Sequence, residues 1–166
     1  MSTQDNLQAA FAGESQANRK YLAFAQKAER DGLPQVAKLF RAAAEAETIH
    51  AHAHLRAMGG IKDTASNLQE AIDGEAHEFK SMYPEFVAEA EKEGSKPALT
   101  SFRYALAVEK IHHELYTEAL KDVTVGSDLP ERNIFVCPVC GNTVYDQAPE
   151  KCPICGVVKD KFFEIA

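Results

Sequence analysis

The chain has 166 residues, 45% of them hydrophobic and 26% charged, with no tryptophan and a formal net charge of -7 at pH 7. This size and composition are typical of one soluble, mainly helical domain with a small appendix, and they exclude a disordered chain. The acidic balance without a Lys/Arg cluster argues against nucleic acid as a partner, and the absence of a long apolar stretch or signal peptide argues against a membrane and for the cytoplasm.

Glycine and proline residues divide the first three-quarters of the chain into four predicted helices. We expect them at about residues 3–31, 34–58, 66–94 and 97–123, and Pro84 predicts a kink inside the third helix. A segment rich in Gly, Ser, Asp and Pro follows. The predicted domains are therefore a helical domain over residues 1–123, a linker over 124–133 and a cysteine-bearing tail over 134–166.

Each predicted helix places at least one glutamate on the face that its apolar residues mark as buried. Burying an ionised carboxylate costs several kcal/mol, roughly, unless a cation or several donors compensate. A shared metal site would provide that compensation. The candidate ligands on these faces are Glu14, Glu47, His50, Glu75, Glu78, Glu109 and His112.

The spacing of these residues repeats in the two halves of the chain. Glu14 precedes the Glu47-x-x-His50 pair by 33 positions, and Glu75 precedes the Glu109-x-x-His112 pair by 34. One Glu from each of two helices and a Glu-x-x-His from each of the other two is the ligand set of di-iron and di-manganese carboxylate bundles. The oxygen and imidazole donors suit iron or manganese better than zinc.

Glu78 has no counterpart in the first half, where Ala17 occupies the equivalent position. It is either a solvated helix residue or a seventh ligand, and as a ligand it could exchange with His50 when the iron changes between ferric and ferrous. The histidines without a repeat partner are expected at the surface or beside the ligands. They are His52, His54, His77 and His113.

The tail carries all four cysteines of the chain in two Cys-Pro-x-Cys-Gly motifs. The cysteines are Cys137, Cys140, Cys152 and Cys155. Two such pairs in a reducing compartment favour a metal over disulfides. Spacing alone leaves zinc and iron open, with zinc as a purely structural ion. Iron is favoured because a one-electron centre has a use beside a di-iron site.

Together these motifs resemble the rubrerythrin family over nearly the whole chain. The resemblance implies an all-α, ferritin-like four-helix bundle followed by a small rubredoxin-like domain, with two iron ions in the carboxylate/histidine site and one in the four-cysteine site, where zinc stays possible. It also implies the exchange of Glu78 and His50. Tyr21 and Tyr83 occupy positions that match tyrosines near the irons of the family.

The resemblance further implies a peroxidase that reduces hydrogen peroxide to water in oxidative-stress defence. Electrons would pass through the tail iron from rubredoxin or an NAD(P)H-dependent reductase. Two alternatives stay open, a ferroxidase or iron-handling protein with a structural zinc tail, and a non-catalytic metal-binding regulator.

The connection between the second and third predicted helices is short for a ferritin-like bundle, in which these helices run parallel. A taut connection favours a homodimer whose chains exchange helix pairs. Glu14, Glu47 and His50 of one chain would then meet the second-half ligands of its partner.

Overall fold

The computed structural model describes residues 2–166, which divide into two compact units, one ending at Lys62 and the other beginning at Asp63. Within that described part, no helix combines the length and the apolar character needed to cross a membrane. Each unit is built around one antiparallel pair of long helices, so the internal repeat in the sequence corresponds to a repeat of helix pairs.

The first unit is the pair α1 (Thr3–Arg30) and α2 (Pro34–Ala57). Helix α1 begins with a capping box, in which the Ser2 hydroxyl accepts from the Asp5 N–H at 3.1 Å and the Asp5 carboxylate accepts from the Ser2 N–H at 2.7 Å. The turn between the helices needs the left-handed conformation of Gly32, whose φ is 74°. The limits of α1 and α2 agree with those of the first two predicted helices to within a residue or two.

Small residues form the contact between α1 and α2. Ala25, Ala28 and Ala37 are buried together, and Phe40 packs against them. Alanine side chains let two helices approach closely, which brings the polar residues on the same faces within reach of one another.

The second unit begins with α3 (Thr64–His77), a π-helical segment (Glu78–Met82) and α4 (Tyr83–Glu93), which together form the third predicted helix. Helix α3 begins two residues before the predicted start because Asp63 caps it, accepting from the Ser66 N–H at 2.9 Å. The predicted start at residue 66 is therefore wrong.

The π segment lies directly before Pro84, where the sequence predicted a kink. Proline has no N–H to donate to the carbonyl four residues earlier, so the regular α-helical ladder is interrupted there. The Tyr83 N–H instead reaches back five residues to the carbonyl of Glu78. The interruption takes the form of one extra residue in the helix.

Helix α5 (Lys96–Thr124) packs along α3 and α4, and the cysteine tail follows it. The tail forms a small antiparallel sheet in the order β2-β1-β3, with β1 at Ile134–Val136, β2 at Thr143–Tyr145 and β3 at Phe163–Glu164. Strand β2 also contacts α5.

Four long helices and a small cysteine-bearing domain are the predicted elements, and the predicted fold class is confirmed. The segment between Thr124 and Ile134 has no helix or strand. The proposed division into domains at 124–133 stays a prediction, since the compact units of the structure divide at residue 62 instead.

Candidate metal centres

Among the described residues, three clusters of His, Cys, Asp or Glu have ligand atoms within 4.8 Å of one another. The first lies in the first unit, where Glu47 and His50 project from one face of α2 toward Glu14 on α1. The Nδ1 atom of His50 is 2.9 Å from Glu47 Oε2 and 3.9 Å from Glu14 Oε1. The hydrogen bond that Glu14 shares with Glu47, together with burial and the Glu47 charge, raises the pKa of Glu14.

The second cluster repeats this geometry in the second unit. The Nδ1 atom of His112 is 2.8 Å from Glu109 Oε2 and 3.7 Å from Glu75 Oε1. Two neighbouring ligands of one ion lie about 3 Å apart when each bond is about 2.1 Å. The closest separation in each half has this value, so both triads fit one metal ion each.

Glu75 shows most clearly that a cation belongs in the second triad. Burial, followed by the negative charges of Glu109 and Glu78, raises the pKa of Glu75 to about 7. Within the described part of the chain, its Oε2 atom is buried without a hydrogen-bond partner. A bound cation would satisfy this oxygen and remove the repulsion between the carboxylates.

Glu78 and Tyr83 stand at the two ends of the π segment, beside this triad. Glu78 is not part of the three-residue cluster, but burial and the charge of Glu109 raise its pKa. Burial, followed by the charges of Glu78, Glu109 and Glu75, raises the pKa of the Tyr83 phenol. Both side chains are thus within electrostatic reach of the second triad.

Tyr21 and Tyr83 belong to equivalent aromatic trios that the sequence reading did not identify as a repeat. In the first unit, Tyr21, Phe24 and Phe40 have ring centroids 5.6–6.4 Å apart. In the second, the rings of Tyr83, Phe86 and Phe102 are 5.5–6.3 Å apart.

The register of these trios explains the role of the π segment. Tyr21 follows Glu14 by seven residues, whereas Tyr83 follows Glu75 by eight. The extra residue of the π segment compensates for the difference and brings both tyrosines to the same place in their helix pairs. A repeat search that included aromatic residues and allowed one insertion would have found the trios.

The histidines without a repeat partner lie outside the three clusters. His113 packs edge-on against the ring of Phe79, with centroids 5.3 Å apart. His54 and His77 lie near Glu14 and Glu78, respectively, and each partly offsets the rise in the pKa of its neighbouring carboxyl group. His52 lines a groove between α1 and α2.

The third cluster is formed by the four cysteines of the tail, which make no disulfide. The Sγ atoms of Cys137 and Cys155 are 3.5 Å apart, as are those of Cys140 and Cys152. A tetrahedral ion with metal–sulfur bonds of about 2.3 Å needs sulfurs about 3.8 Å apart. The arrangement is therefore a four-thiolate metal site.

The thiols of the tail differ in how easily they lose a proton. Burial raises the pKa of Cys152, but the N–H groups of Cys155 and Ile154, together with the thiols of Cys140 and Cys155, outweigh it and lower that pKa to about 7. Burial raises the pKa values of Cys140 and Cys155, and a bound cation would favour their thiolate forms. Gly141 and Gly156, at the ends of the two motifs, have φ values of 85° and 77° and donate their N–H groups to the first cysteine's carbonyl in each motif. These turns explain the glycines in both motifs.

The two residues that directly follow the first cysteine motif, Asn142 and Thr143, contact residues of the metal sites. Neither contact was predicted from the sequence. Asn142 is 1% exposed, and its Nδ2 lies 3.7 Å from Cys152 Sγ. The Oγ1 atom of Thr143 lies 3.0 Å from His112 Nε2. Neither residue type signals a metal site, because these contacts depend on how the tail folds and packs against α5.

Comparisons with known proteins agree with this geometry. The family model described as Rubrerythrin matches residues 5–120, and that described as Rubrerythrin, rubredoxin-like domain, matches residues 135–163. Rubrerythrin-2 of Clostridium acetobutylicum is 40% identical over 96% of this chain and 95% of its own length. Nigerythrin of Nitratidesulfovibrio vulgaris is 39% identical over 97% of this chain and 85% of its own length.

Solved structures agree as well. The structure of nigerythrin in its fully reduced, all-ferrous state is 34% identical, covers 99% of this chain and 87% of the nigerythrin chain, and has a TM-score of 0.59. A partially reduced state of nigerythrin matches with the same coverage and TM-score.

Two carboxylate/histidine triads, one in each unit, and a four-cysteine site are the ligand sets of a di-metal carboxylate protein with a mononuclear thiolate centre. The chain belongs to the rubrerythrin family. Membership confirms the predicted cofactors, two iron ions in the carboxylate/histidine site and one in the cysteine site. It makes the chain a di-iron protein of the oxidoreductase type, associated with oxidative stress.

Proposed function

We propose that this chain is a non-haem di-iron peroxidase that reduces hydrogen peroxide to water. The observation that carries the proposal is the contact between the cysteine tail and α5, where Thr143 and His112 approach to 3.0 Å. A one-electron centre thereby lies beside residues of a two-metal centre. A protein that only stored or oxidised iron would need no such route for incoming electrons.

The proposed metal ligands are the residues of the three clusters together with Glu78. They are Glu14, Glu47, His50, Glu75, Glu78, Glu109, His112, Cys137, Cys140, Cys152 and Cys155. Two ferrous ions held by the first seven would supply the two electrons that, with two protons, convert one peroxide molecule into two water molecules.

Side chains of the protein would supply the two protons that the reduction of peroxide needs. Burial and nearby carboxylates raise the pKa of Tyr83, so its Oη holds a proton at neutral pH and can donate a hydrogen bond into the site. Tyr21 occupies the equivalent position in the first unit, against Phe24 and Phe40. We assign both tyrosines to positioning or donating protons.

Glu78 and His50 are the proposed exchangeable ligands. Glu78 lies near Glu109 but outside the tight cluster, and the side chain of His50 is 54% exposed, compared with 28% for His112. A ligand near solvent can leave and return with less rearrangement of its surroundings. The harder ferric ion would prefer the carboxylate of Glu78, and the ferrous ion the imidazole of His50.

The electron donor is proposed to be rubredoxin or an NAD(P)H-dependent reductase in the cytoplasm. Val139, between the two cysteines of the first motif, is exposed and gives such a partner an apolar contact close to the sulfurs. Thiols without disulfides agree with a reducing compartment.

We further propose that the complete di-iron centre forms in a homodimer with exchanged helix pairs. The connector from Ala57 to Thr64 makes seven Cα steps and spans at most about 25 Å. The helix rises about 10 Å from His50 to the end of α2 and about 16 Å from the start of α3 to Glu75. With α2 and α3 parallel, as in ferritin-like folds, the connector would have to cover about 27 Å along the axis and also cross between helices.

The aromatic trios support the same assembly. Phe24 and Phe86 are 47% and 42% exposed, although both are large apolar side chains in otherwise packed clusters. Each lies on a ligand-bearing helix pair, where a second pair would cover it. A partner copy supplies that pair and completes the set of ligands.

The function is tested with iron-loaded protein that has been fully reduced without oxygen and then mixed with peroxide. We expect rapid peroxide consumption, followed by return of the visible ferric-thiolate absorption of the tail. Glu109→Gln, which removes a ligand, should slow both on the order of 100-fold. Glu114→Gln, on the exposed side of the same helix, should react like the unmodified chain.

Two outcomes would contradict the proposal. Zinc in the tail with no response to peroxide would leave an iron-handling protein with a structural tail. Equal rates of peroxide consumption for Glu109→Gln and the unmodified chain would show that the reaction does not take place at the di-iron centre.

A further inference from the structure

Thr143 links the cysteine tail to a candidate di-iron ligand. It is the first residue of β2 and follows Cys140 by three positions. Its Oγ1 lies 3.0 Å from the Nε2 of His112 and 3.0 Å from the carbonyl oxygen of Gly141. Both hydrogen bonds are partly buried, which limits competition from water.

The directions of these hydrogen bonds follow from counting hydrogens. A threonine hydroxyl has one hydrogen to donate, and a carbonyl oxygen can only accept. The hydroxyl of Thr143 donates to Gly141, so its oxygen is left to accept from His112. The proton of a neutral His112 ring therefore belongs on Nε2.

This protonation determines what the other ring nitrogen can do. With the proton on Nε2, a neutral imidazole has a free lone pair on Nδ1. Nδ1 is the atom that faces the carboxylates of Glu109 and Glu75, at 2.8 and 3.7 Å. A lone pair aimed between two carboxylates is what a bound cation requires.

The first unit makes a useful comparison. His50 has nearly the same distances to its carboxylates, yet its side chain is about twice as exposed as that of His112. The contact with the tail therefore distinguishes two otherwise equivalent histidines. It restrains the ring of His112 on the side away from the carboxylates.

We propose that Thr143 is a positioning residue that fixes His112 in the Nε2–H tautomer and so holds its Nδ1 lone pair toward the metal. The orientation of one di-iron ligand would thus depend on the folded cysteine tail. This inference rests on one part of the proposed function, that Glu75, Glu109 and His112 hold a metal ion. It does not require that the metal reduces peroxide.

The test uses the full chain with its tail site filled and compares Thr143→Val with Thr143→Ser. Valine has nearly the same shape but no hydroxyl, whereas serine keeps it. Ferrous ion is titrated without oxygen against a competing chelator. We expect Thr143→Val to bind iron at the carboxylate site 10- to 100-fold more weakly, the usual range for loss of a partner to a ligating histidine. Thr143→Ser should retain the affinity.

A second measurement reports the hydrogen bond itself. In the ferrous protein, the Nε2 proton of His112 should give a resolved NMR signal that exchanges slowly with water. That signal should broaden or vanish in Thr143→Val and persist in Thr143→Ser. If Thr143→Val damaged the fold of the tail, the visible spectrum of the tail iron would change. In that case Thr143→Ala is used as the variant without a hydroxyl.

Unchanged iron affinity in the variants without a hydroxyl would overturn the proposal. So would an equal loss in the serine variant, because packing of the threonine methyl group would then be responsible. This test uses no peroxide. A chain that binds iron as described but does not react with peroxide would therefore contradict only the proposed function.

Discussion

At the scale of single residues, Glu75 combines a buried carboxylate with neighbours of the same charge, which raise its pKa from 4.5 to about 7. Between these two pH values the folded, metal-free protein holds a proton that the unfolded chain releases. Folding stability therefore falls as the pH rises through this window, and the penalty is complete above about 7. A bound metal would reverse the preference by favouring the charged carboxylate.

Replacing Glu75 should remove part of this pH dependence. In protein whose carboxylate site has been stripped of metal, the free energy of unfolding should fall from about pH 5 to about pH 7.5 less steeply in Glu75→Gln than in the unmodified chain. Denaturant unfolding at several pH values measures the slope. Glu114→Gln, an exposed carboxylate on α5, is the control and should keep the original slope. Parallel slopes for Glu75→Gln and the unmodified chain would refute this account.

The contacts of Asn142 and Thr143 with the two metal sites could not be predicted from the sequence. The buried amide of Asn142 approaches the sulfur of Cys152, and the next residue faces the opposite side and reaches His112. Neighbouring residues of extended backbone point in opposite directions, so one dipeptide contacts both metal sites. Only the packing of the tail on α5 reveals this.

At the scale of secondary-structure elements, the π segment keeps the two halves of the chain equivalent despite their different lengths. It accommodates one extra residue between Glu75 and Tyr83 while keeping the trio of Tyr83, Phe86 and Phe102 in place. In a continuous α-helix each residue turns the chain by about 100°, so without the π segment the extra residue would rotate Tyr83 and Phe86 away from Phe102.

Deleting Ser81, an exposed residue of the π segment, should therefore be tolerated, because it leaves the seven-residue spacing that a regular helix already has in the first unit. Deleting Gln16, an exposed residue of α1, leaves only six positions from Glu14 to Tyr21 and should rotate that tyrosine away from Phe40. We expect the free energy of unfolding to fall by about 2 kcal/mol or more for the Gln16 deletion, as for other losses of core packing, and by less than about 1 kcal/mol for the Ser81 deletion. Urea unfolding measures the change, and Ser81→Ala, which keeps the chain length, should stay within about 0.5 kcal/mol. Equal losses of stability for the two deletions would show that the π segment does not serve to absorb an extra residue.

Most helix limits and the members of the three side-chain clusters could be predicted from the sequence for physical reasons. Glycine commonly ends a helix and proline commonly begins one, as Gly32, Gly94 and Pro34 do here. A glutamate on a buried helix face needs a cation or a hydrogen-bond donor as its partner. The cap of α3 was misplaced because Asp63, Ser66 and Asn67 are all good capping residues, and sequence alone does not choose between them. The π segment escaped notice because Glu75, Glu78, Met82 and Phe86 follow one another at spacings of three and four, so the pattern continues across it without a visible break.

At the scale of the whole molecule, each unit of the chain contains one triad and one aromatic trio. The proposed centre needs one unit of each kind, and the seven-step connector favours taking them from two chains. Two inactive variants with complementary defects can test this arrangement. Glu47→Gln damages the first unit, and Glu109→Gln damages the second.

Co-expression with two different affinity tags allows the mixed dimer to be isolated. With exchanged helix pairs, one of its two centres combines the intact first unit of one chain with the intact second unit of the other. We therefore expect about half of the unmodified peroxidase activity per dimer, although each variant alone is inactive. Mixed dimers as inactive as their parents would mean that each centre is built from a single chain.

The short connector has a consequence for how a newly made chain acquires its metal. With helix pairs exchanged as proposed, a lone chain offers one site of three ligands and one of four, and neither contains the full set that holds a pair of ions. Iron capture and dimerisation then become a single thermodynamic event, in which each stabilises the other by mass action. At low protein concentration the carboxylate sites would stay largely empty, although the tail could still hold its own iron. Redox-active iron would be retained only where a finished centre exists to control it.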